Sequence, residues 1–544
     1  MTRLAESIKS LNESSYVLIV IALGVVVYAS LSVVLPSPVN VMEVRNLVTA
    51  KECVVDGNCL STTMNGLTRV RKPPLPSWVA AAMMSLSGET NSVYPPRIPS
   101  IFLTALFGVF VYFLSKLWLD GLRSFTSAVI VLTSYVILNE GWRAAWDIYT
   151  LTFAAGGLWL MCAALFKDKP PVAWLMASGV LWGLAFLSKW HFTVYAVLTP
   201  FLAALFFSKL KTGFKWKYLP VIGTVALATG LSWPVYMYFV NPESFSFVDE
   251  TAAVSMREFG RTVYYYALFP FMAFPWTFLV FGTFASWFSG ESRRILLSED
   301  ERERMSFFLL WFAFALVLLT IEPSKKLRYA MPLVMPAALF VSVFSGALER
   351  GGIASAPPLI RAFWKAHVFS ISILALFIVV MSVLAVFLLD MPSYLPIAAA
   401  PLAYISYRVM RHKYSVIEVN LCAAVMVALV CFVLAVAGGS LFGGRIDEIR
   451  ASGDMVSRLS AGYDKLYLFV NDTRAAWAVR RTAYEVEPVG IRIEKFPALI
   501  LVEENSMHHL IPWAKERGIS HKETYNFLYD PRGERALLLR LTKE

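Results

Sequence analysis

Residues 16–36 read YVLIVIALGVVVYASLSVVLP, a run with no charged side chain. At about 1.5 Å per residue it is long enough as a helix to cross roughly 30 Å of bilayer hydrocarbon. Hydrocarbon offers no partner to a backbone amide, so a segment living there must satisfy its hydrogen bonds internally, and the run is predicted to be helical. It follows a polar start with Arg3 and Lys9, is longer than the core of a signal peptide and lacks a small-x-small cleavage site, which reads as a retained first span. Runs of the same kind recur down the chain and stop near Phe442. The composition agrees: 57% of the 544 residues are hydrophobic and only 16% charged, too little charge to coat a soluble globule of this size. The expected fold is an all-α polytopic membrane bundle of about 13 transmembrane helices.

The pattern changes after residue 442. From Gly443 to Glu544 charges are frequent and apolar runs short, as in DKLYLFV (464–470) and ALILVEE (498–504), with a helical segment at HHLIPWAKERGI (508–519). These features predict a small C-terminal α/β soluble domain, 443–544, after a transmembrane domain, 1–442, whose first outer loop is 37–74.

With the N-terminus in the cytoplasm, the inner loops fall at Lys116–Arg123, Lys167–Lys169, Lys209–Lys217, Arg293–Arg304, Arg350–Lys365 and Arg408–Lys413. Each is basic, as the positive-inside rule requires, and the first outer loop, the 241–264 loop and the C-terminal domain then face outward. The formal net charge of +11 is largely spent on these loops, so nucleic acid is not an expected partner. The informative cations are those that break the rule by lying outside: Arg45, Arg69, Arg71, Lys72, Arg97, Arg143, Lys189, Arg257, Arg261, Lys325, Lys326 and Arg328. Several flank predicted spans at headgroup depth, where an anionic lipid or a lipid-linked phosphate is the natural partner; snorkelling to the interface is the ordinary alternative. Cys162, Cys422 and Cys431 fall in spans, whereas Cys53 and Cys59 share the first outer loop, and their spacing leaves pairing open.

The first outer loop reads VMEVRNLVTAKE and then MNGLTRVRKPPLPSW. Met42-Glu43-Val44-Arg45 and Arg71-Lys72-Pro73-Pro74-Leu75 resemble the Asp-Glu-x-Arg and Glu-Lys-Pro-Pro-Leu motifs of the GT-C class of membrane glycosyltransferases, in the aminoarabinose-transferase and protein O-mannosyltransferase group. RAAWDIYTL (143–151), GLAFLSKW (183–190), PFMAFPWTFL (270–279) and KKLRYAMPLVMP (325–336) are similar to later segments of that group, in order. The resemblance covers roughly residues 1–440. Two departures stand out: the family's first acid is Met42 here, and the acid before Lys-Pro-Pro is Arg71. The remaining candidate catalytic carboxylates are Glu43 and Asp147. A site short of one carboxylate still suits a phosphate acceptor, which is already ionised, better than a hydroxyl, which must lose a proton.

The resemblance implies transfer of a sugar, with inversion, from a polyprenyl-phosphate donor to an acceptor outside the cytoplasm, in the cytoplasmic (inner) membrane of a bacterium with the active site facing the periplasm. Lys72, Lys325, Lys326 and Arg328 are expected to hold the donor phosphate, and Arg45, Arg143, Lys189, Arg257, Arg261 and Tyr329 to complete the substrate site. An envelope glycolipid such as lipid A is the favoured acceptor, and a protein or glycan hydroxyl the alternative. Structural readings stand beside each of these. Glu43 can simply pair with Arg45, Asp147 can be a charge at a helix N-terminus, Lys72 a solvated loop lysine, Tyr329 an interfacial anchor, and Arg257 with Arg261 solvated helix charges. Pro73 and Pro74 argue for a fixed Lys72, because they remove backbone freedom beside it. No cofactor and no metal are expected, since His191 and His367 lack partners at metal-ligand spacing. A lipid or polysaccharide transporter and an inactive scaffold are the rival classes. The chain has no duplicated halves and its odd charges gather at one rim, which weighs against a transporter.

Overall fold

The computed structural model describes residues 6, 8–35, 40–245, 263–322, 325–388, 391, 393–411, 415–469, 473–486, 493, 495–503, 506–530 and 533–543. Among them eight helices are long and apolar enough to cross a bilayer: Glu13–Val34, Tyr94–Ser115, Trp146–Leu165, Val172–Lys189, Glu299–Ile321, Leu327–Gly351, Pro358–Phe387 and Val416–Gly438. Two bent pairs, Trp216–Gly230 with Ser232–Val240 (40°) and Tyr265–Met272 with Thr277–Phe288 (113°), raise the number to ten when each counts as one span. An expectation of thirteen needs three of the shorter apolar helices as well, such as Gly121–Thr133, Val194–Phe207 and Leu395–Tyr404. Hydropathy sums apolarity along the chain and is blind to where the backbone breaks, which is why the runs look more uniform in sequence than in space.

Lipid as solvent explains which faces are covered. Leu327–Gly351 is buried over 94% of its apolar window and lies inside the bundle, whereas Pro358–Phe387 is buried over only 22% and turns Phe369, Phe377 and Phe387 outward. Apolar side chains gain nothing by leaving lipid, so the helices associate through close packing instead. Gly24 is one such contact: a Cβ there would lie 2.8 Å from the Ala105 Cα of the Tyr94–Ser115 helix.

The helix that leaves the bundle, Val416–Ser460, starts at a capping box of Ser415 and Glu418 and runs unbroken for 45 residues. That is roughly 68 Å, more than twice the hydrocarbon thickness, so the helix continues well beyond the bundle and residue 443 lies inside it. It delivers the chain to a five-stranded sheet of β3 (Leu466–Phe469), β4 (Ala483–Glu485), β5 (Ala498–Glu503), β6 (Ile519–Leu528) and β7 (Arg535–Lys543). The earlier strands β1 (Thr63–Met64) and β2 (Leu67–Thr68) form a hairpin in the first outer segment. The sheet order is β4-β3-β5-β7-β6, parallel across the first three strands and antiparallel thereafter. The runs DKLYLFV and ALILVEE supply β3 and β5, and the helix Met507–Glu516 covers one sheet face through Leu510 and Trp513.

The other sheet face packs on the first outer segment. That segment is itself a helix, Val41–Asp56, whose Val44, Leu47 and Val48 share a core with Leu466, Leu468, Trp477 and Leu501. The buried Lys51 Nζ donates to the carbonyls of Ala476 (2.5 Å) and Val479 (2.7 Å), and Thr482 donates to Asp56 (2.7 Å). Cys53 and Cys59 are joined as a disulfide, which closes the end of this helix onto the hairpin that follows. Segments more than 400 residues apart in the chain therefore build one cap on the bundle.

Candidate active site

Under this cap the ends of several helices converge on one carboxylate. Asp147 lies in the first turn of Trp146–Leu165 and is buried. Lys189, the last residue of Val172–Lys189, donates to Asp147 Oδ1 at 2.5 Å, and Arg328 Nε approaches Oδ2 at 3.5 Å from the turn Leu327–Ala330. Apolar helices end here because the sequence supplies polar residues at the same height on three of them. Tyr329 forms an aromatic floor: its ring lies 4.3 Å from Lys189 Nζ and 5.3 Å from the Arg328 guanidinium, and packs on Phe192. The chain leaves Lys189 through Trp190, whose φ of +36° is strained for a bulky side chain. Trp190 Nε1 donates to the Arg71 carbonyl (3.0 Å), so this turn is tied to the loop carrying Lys72.

Lys72 precedes the buried Pro73 and Pro74 and feels the charges of Lys189, Asp147, Arg69 and Arg328. Among the described residues its ammonium makes no hydrogen bond or ion pair. Burial, reinforced by the neighbouring Lys189 cation and opposed by Asp147, lowers its pKa to about 7. Arg69 lies behind it, donating to the Arg45 carbonyl (2.8 Å) and Thr49 Oγ1 (3.1 Å) with its guanidinium 5.0 Å from the Trp146 ring. Desolvation by burial lowers the Arg69 pKa to about 9. Asp147 is thus outnumbered by Lys72, Lys189 and Arg328, and the excess positive charge makes the cluster a receptor for an anion.

The other expected site residues fall differently. Glu43 is buried and engaged on both oxygens: Arg97 Nε donates to Oε1 (2.7 Å) and Nη2 to Oε2 (2.9 Å), and the Ala144 N–H adds a bond to Oε1 (3.1 Å). The structural reading of Glu43 as a loop-fixing charge fits this geometry, but with Arg97 rather than Arg45 as partner. Arg97 also donates to the carbonyls of Ser32 (2.7 Å) and Leu35 (2.5 Å), which locks the first loop to the first helix. Arg45 is half-buried beside Arg69. Arg143 stands next to the cluster, over Trp142 and 3.4 Å from Glu140. Lys325 turns to the end of Glu299–Ile321, donating to the Thr320 carbonyl (2.7 Å) and the Glu322 carbonyl, a helix-capping task rather than one in the cluster. Lys326 is exposed, 5.9 Å from the Tyr329 ring. Arg257 and Arg261 lie outside the described residues. Among the described residues no group of three or more His, Cys, Asp or Glu side chains is arranged to hold a metal ion. The sequence reading passed over Glu140, because a single acid at the end of an apolar run looks like any interfacial charge.

Beside the cluster, a cavity of ≈ 230 Å³ opens between Val172–Lys189, Val194–Phe207 and Leu219–Gly230, lined by Trp182, Phe186, Thr193, Leu198, Ile222 and Leu227 among others. Its walls are almost wholly apolar, and Thr193, which helps line it, is four residues from Lys189. An apolar chain with an anionic head matches the two environments in sequence.

The fold that carries this cluster has counterparts among solved structures. Crystal structures of ArnT from Cupriavidus metallidurans superpose over 97% of this chain and 98% of that one, with TM-scores of 0.70 in the apo state and 0.66 bound to undecaprenyl phosphate, at 16% sequence identity. The family model described as dolichyl-phosphate-mannose-protein mannosyltransferase matches residues 71–235. Relatives include the undecaprenyl phosphate-alpha-4-amino-4-deoxy-L-arabinose arabinosyl transferase of Yersinia enterocolitica (21% identical over 313 residues, 56% of this chain and 54% of that one) and an uncharacterized protein of Aquifex aeolicus (26% over 306 residues, 54% and 57%). The chain spans about half the length of the curated relatives it matches. The chain thus shares the GT-C fold of ArnT over nearly its whole length, and its sequence is similar to the aminoarabinose-transferase and protein O-mannosyltransferase groups of membrane glycosyltransferases.

Proposed function

We propose that the protein transfers a sugar from a polyprenyl-phosphate donor to an envelope glycolipid of the lipid A class, at the outer face of the cytoplasmic membrane of a bacterium. The observation that carries this reading is the cluster of Lys72, Lys189 and Arg328 around Asp147, at the end of a helix, Val172–Lys189, that also walls an apolar cavity. The donor's tail would occupy the cavity and its phosphate would meet Lys72 and Arg328, which stabilise the charge that develops as the glycosidic bond breaks. Asp147 keeps Lys189 and Arg328 oriented for that contact, and Tyr329 sets their height. Glu43, its oxygens committed to Arg97 and Ala144, is assigned to holding the loop rather than to proton transfer. The similar protein solved with undecaprenyl phosphate supports the donor class, and the Cys53–Cys59 disulfide supports an oxidising, outward compartment for the cap. We divide the chain functionally into the membrane part and the 443–544 domain, which together with the first outer loop covers the site. The protein O-mannosyltransferase family match over 71–235 favours a second reading, in which the acceptor is a protein or glycan hydroxyl.

Mass spectrometry of envelope glycolipids and polyprenyl-linked sugars from matched cells, with the gene intact or deleted, separates these readings. Deletion should remove one sugar increment from a glycolipid while its lipid-linked donor accumulates. Donor accumulation with an unchanged glycolipid would move the acceptor to protein or glycan. No change in either would overturn the transferase reading.

Lys72 gives a prediction with a definite sign. Only the ammonium form attracts phosphate, and with a pKa of about 7 that form is lost as pH rises through neutrality. Affinity for undecaprenyl phosphate should therefore fall between about pH 6.5 and 8.5, a dependence that Lys72→Arg should flatten because a guanidinium stays charged. At the acid end of that range Lys72→Met should weaken binding by about 1.5–3 kcal/mol, roughly 10- to 100-fold. A lipid-binding titration at several pH values checks both.

A further inference from the structure

Among the described residues, the buried carboxylates Glu43, Asp147 and Glu140 near the basic rim differ in how fully they are used. Glu43 spends both oxygens on Arg97, and Asp147 spends one on Lys189 and one on Arg328. Glu140 does not. It ends the short helix Tyr135–Glu140, which packs against the turn Leu327–Ala330 that carries Arg328. The residue is 5% exposed. Its Oε1 accepts from Asn139 Nδ2 (2.8 Å) and Arg143 Nη1 (3.4 Å), while its Oε2 is buried with no hydrogen-bond partner among the described residues. A buried carboxylate oxygen without a donor is costly, and it is retained where a donor arrives with a ligand.

We propose that Glu140 is the general base of the transfer and that its unpartnered oxygen takes the proton of an acceptor hydroxyl. The assignment rests on the transferase reading above and narrows its acceptor. The charged groups facing Glu140 are Arg143 beside it, Asp147 and Lys189 at the ends of their helices, and Arg328 on the opposing turn. Burial, opposed by Arg143 and reinforced by Asp147, holds its pKa up at about 7, where a carboxylate is both ionised and basic enough to accept a proton at working pH. In the step, the acceptor O–H proton passes to Glu140 Oε2 and the oxygen forms its bond to the anomeric carbon. The bond from that carbon to the phosphate oxygen breaks, and its electron pair leaves on polyprenyl phosphate beside Lys72 and Arg328. The carboxylate absent at Met42 is supplied from the end of the short helix Tyr135–Glu140 instead, so the acceptor is a hydroxyl and not an ionised phosphate.

The test uses the purified full-length protein and a lipid extract of the deletion strain, which contains both the accumulated donor and the unmodified acceptor. Wild type should lose kcat as pH falls below about 7, following one ionisation. Glu140→Gln should lower kcat by about 10²- to 10⁴-fold and abolish that acid limb, while Glu140→Asp keeps the limb at a reduced rate. Undecaprenyl phosphate binding by Glu140→Gln should stay within about twofold of wild type, as expected when only a transition-state contact is lost. The product should carry the new sugar on a hydroxyl oxygen. Wild-type kcat or an unchanged acid limb in Glu140→Gln, loss of lipid binding in that variant, or a sugar found on a phosphate oxygen would each overturn the assignment. A wild-type protein that binds undecaprenyl phosphate but forms no product overturns the transferase reading itself, and the base with it.

Discussion

Asp147→Asn is expected to lower kcat/KM by about 10²- to 10³-fold, the scale seen when a preorganised electrostatic element is removed from an active site. The side chain keeps its shape and loses its charge, so Lys189 and Arg328 face each other with Lys72 nearby and only the weaker field of Glu140 to oppose them. Removing one partner of a buried ion pair typically costs about 3–5 kcal/mol, so a lower unfolding temperature should accompany the lost rate. The two effects are separable. Asp147→Asn combined with Lys189→Met removes the orphaned cation and should recover much of the stability, yet the rate should not return, because the anion site has lost both its organiser and one of its charges. Recovery of both together would mean that Asp147 serves the fold alone. Thermal unfolding and initial rates on the same four proteins, wild type, both single variants and the double, decide the matter.

A stability effect of the same size is expected at Glu43 and Arg97, whose side chains are 1% and 0% exposed and joined by two hydrogen bonds. Arg97→Met should cost about 3–5 kcal/mol, because it leaves the Glu43 carboxylate buried and unpaired. It also frees the Ser32 and Leu35 carbonyls, at the point where the first helix hands over to the first outer loop. The double variant Glu43→Leu, Arg97→Leu should be distinctly more stable than either single change predicts when summed, since an apolar pair has no desolvation to recover. Activity should not follow stability here. Glu43 also receives the Ala144 N–H in the loop that leads to Asp147, so the double variant is expected to fold and to transfer slowly. Denaturation curves and rates on the same samples check this, and strictly additive costs would argue against a coupled pair.

Some of this was legible in the chain as written. A membrane bundle with a small α/β domain follows from length and apolarity, since a run such as residues 16–36 has no stable place in water, and DKLYLFV and ALILVEE are short apolar runs flanked by charges, as buried strands are. Asp147, Lys189, Arg328 and Lys72 could be picked out because each is a charge where topology does not ask for one. Their convergence could not be picked out, because 42 residues separate Asp147 from Lys189 and no local pattern encodes that distance. Lys325 sits in the same KKLR run as Arg328 and looks equivalent to it in sequence. One backbone turn sends Arg328 toward Asp147 and Lys325 to the carbonyls of the preceding helix.

The carboxylates mark the boundary most clearly. Sequence alone set Glu43 and Asp147 between spans and made the outer side the expectation for both, since hydropathy and the positive-inside rule act locally along the chain. Only the tertiary structure decided that Glu43 is spent on Arg97, that Asp147 is held between two cations, and that Glu140 keeps an oxygen without a donor among the described residues. Whether a buried charge is paired depends on what other helices bring to the same height, and that is settled by packing in three dimensions rather than by neighbours in the chain.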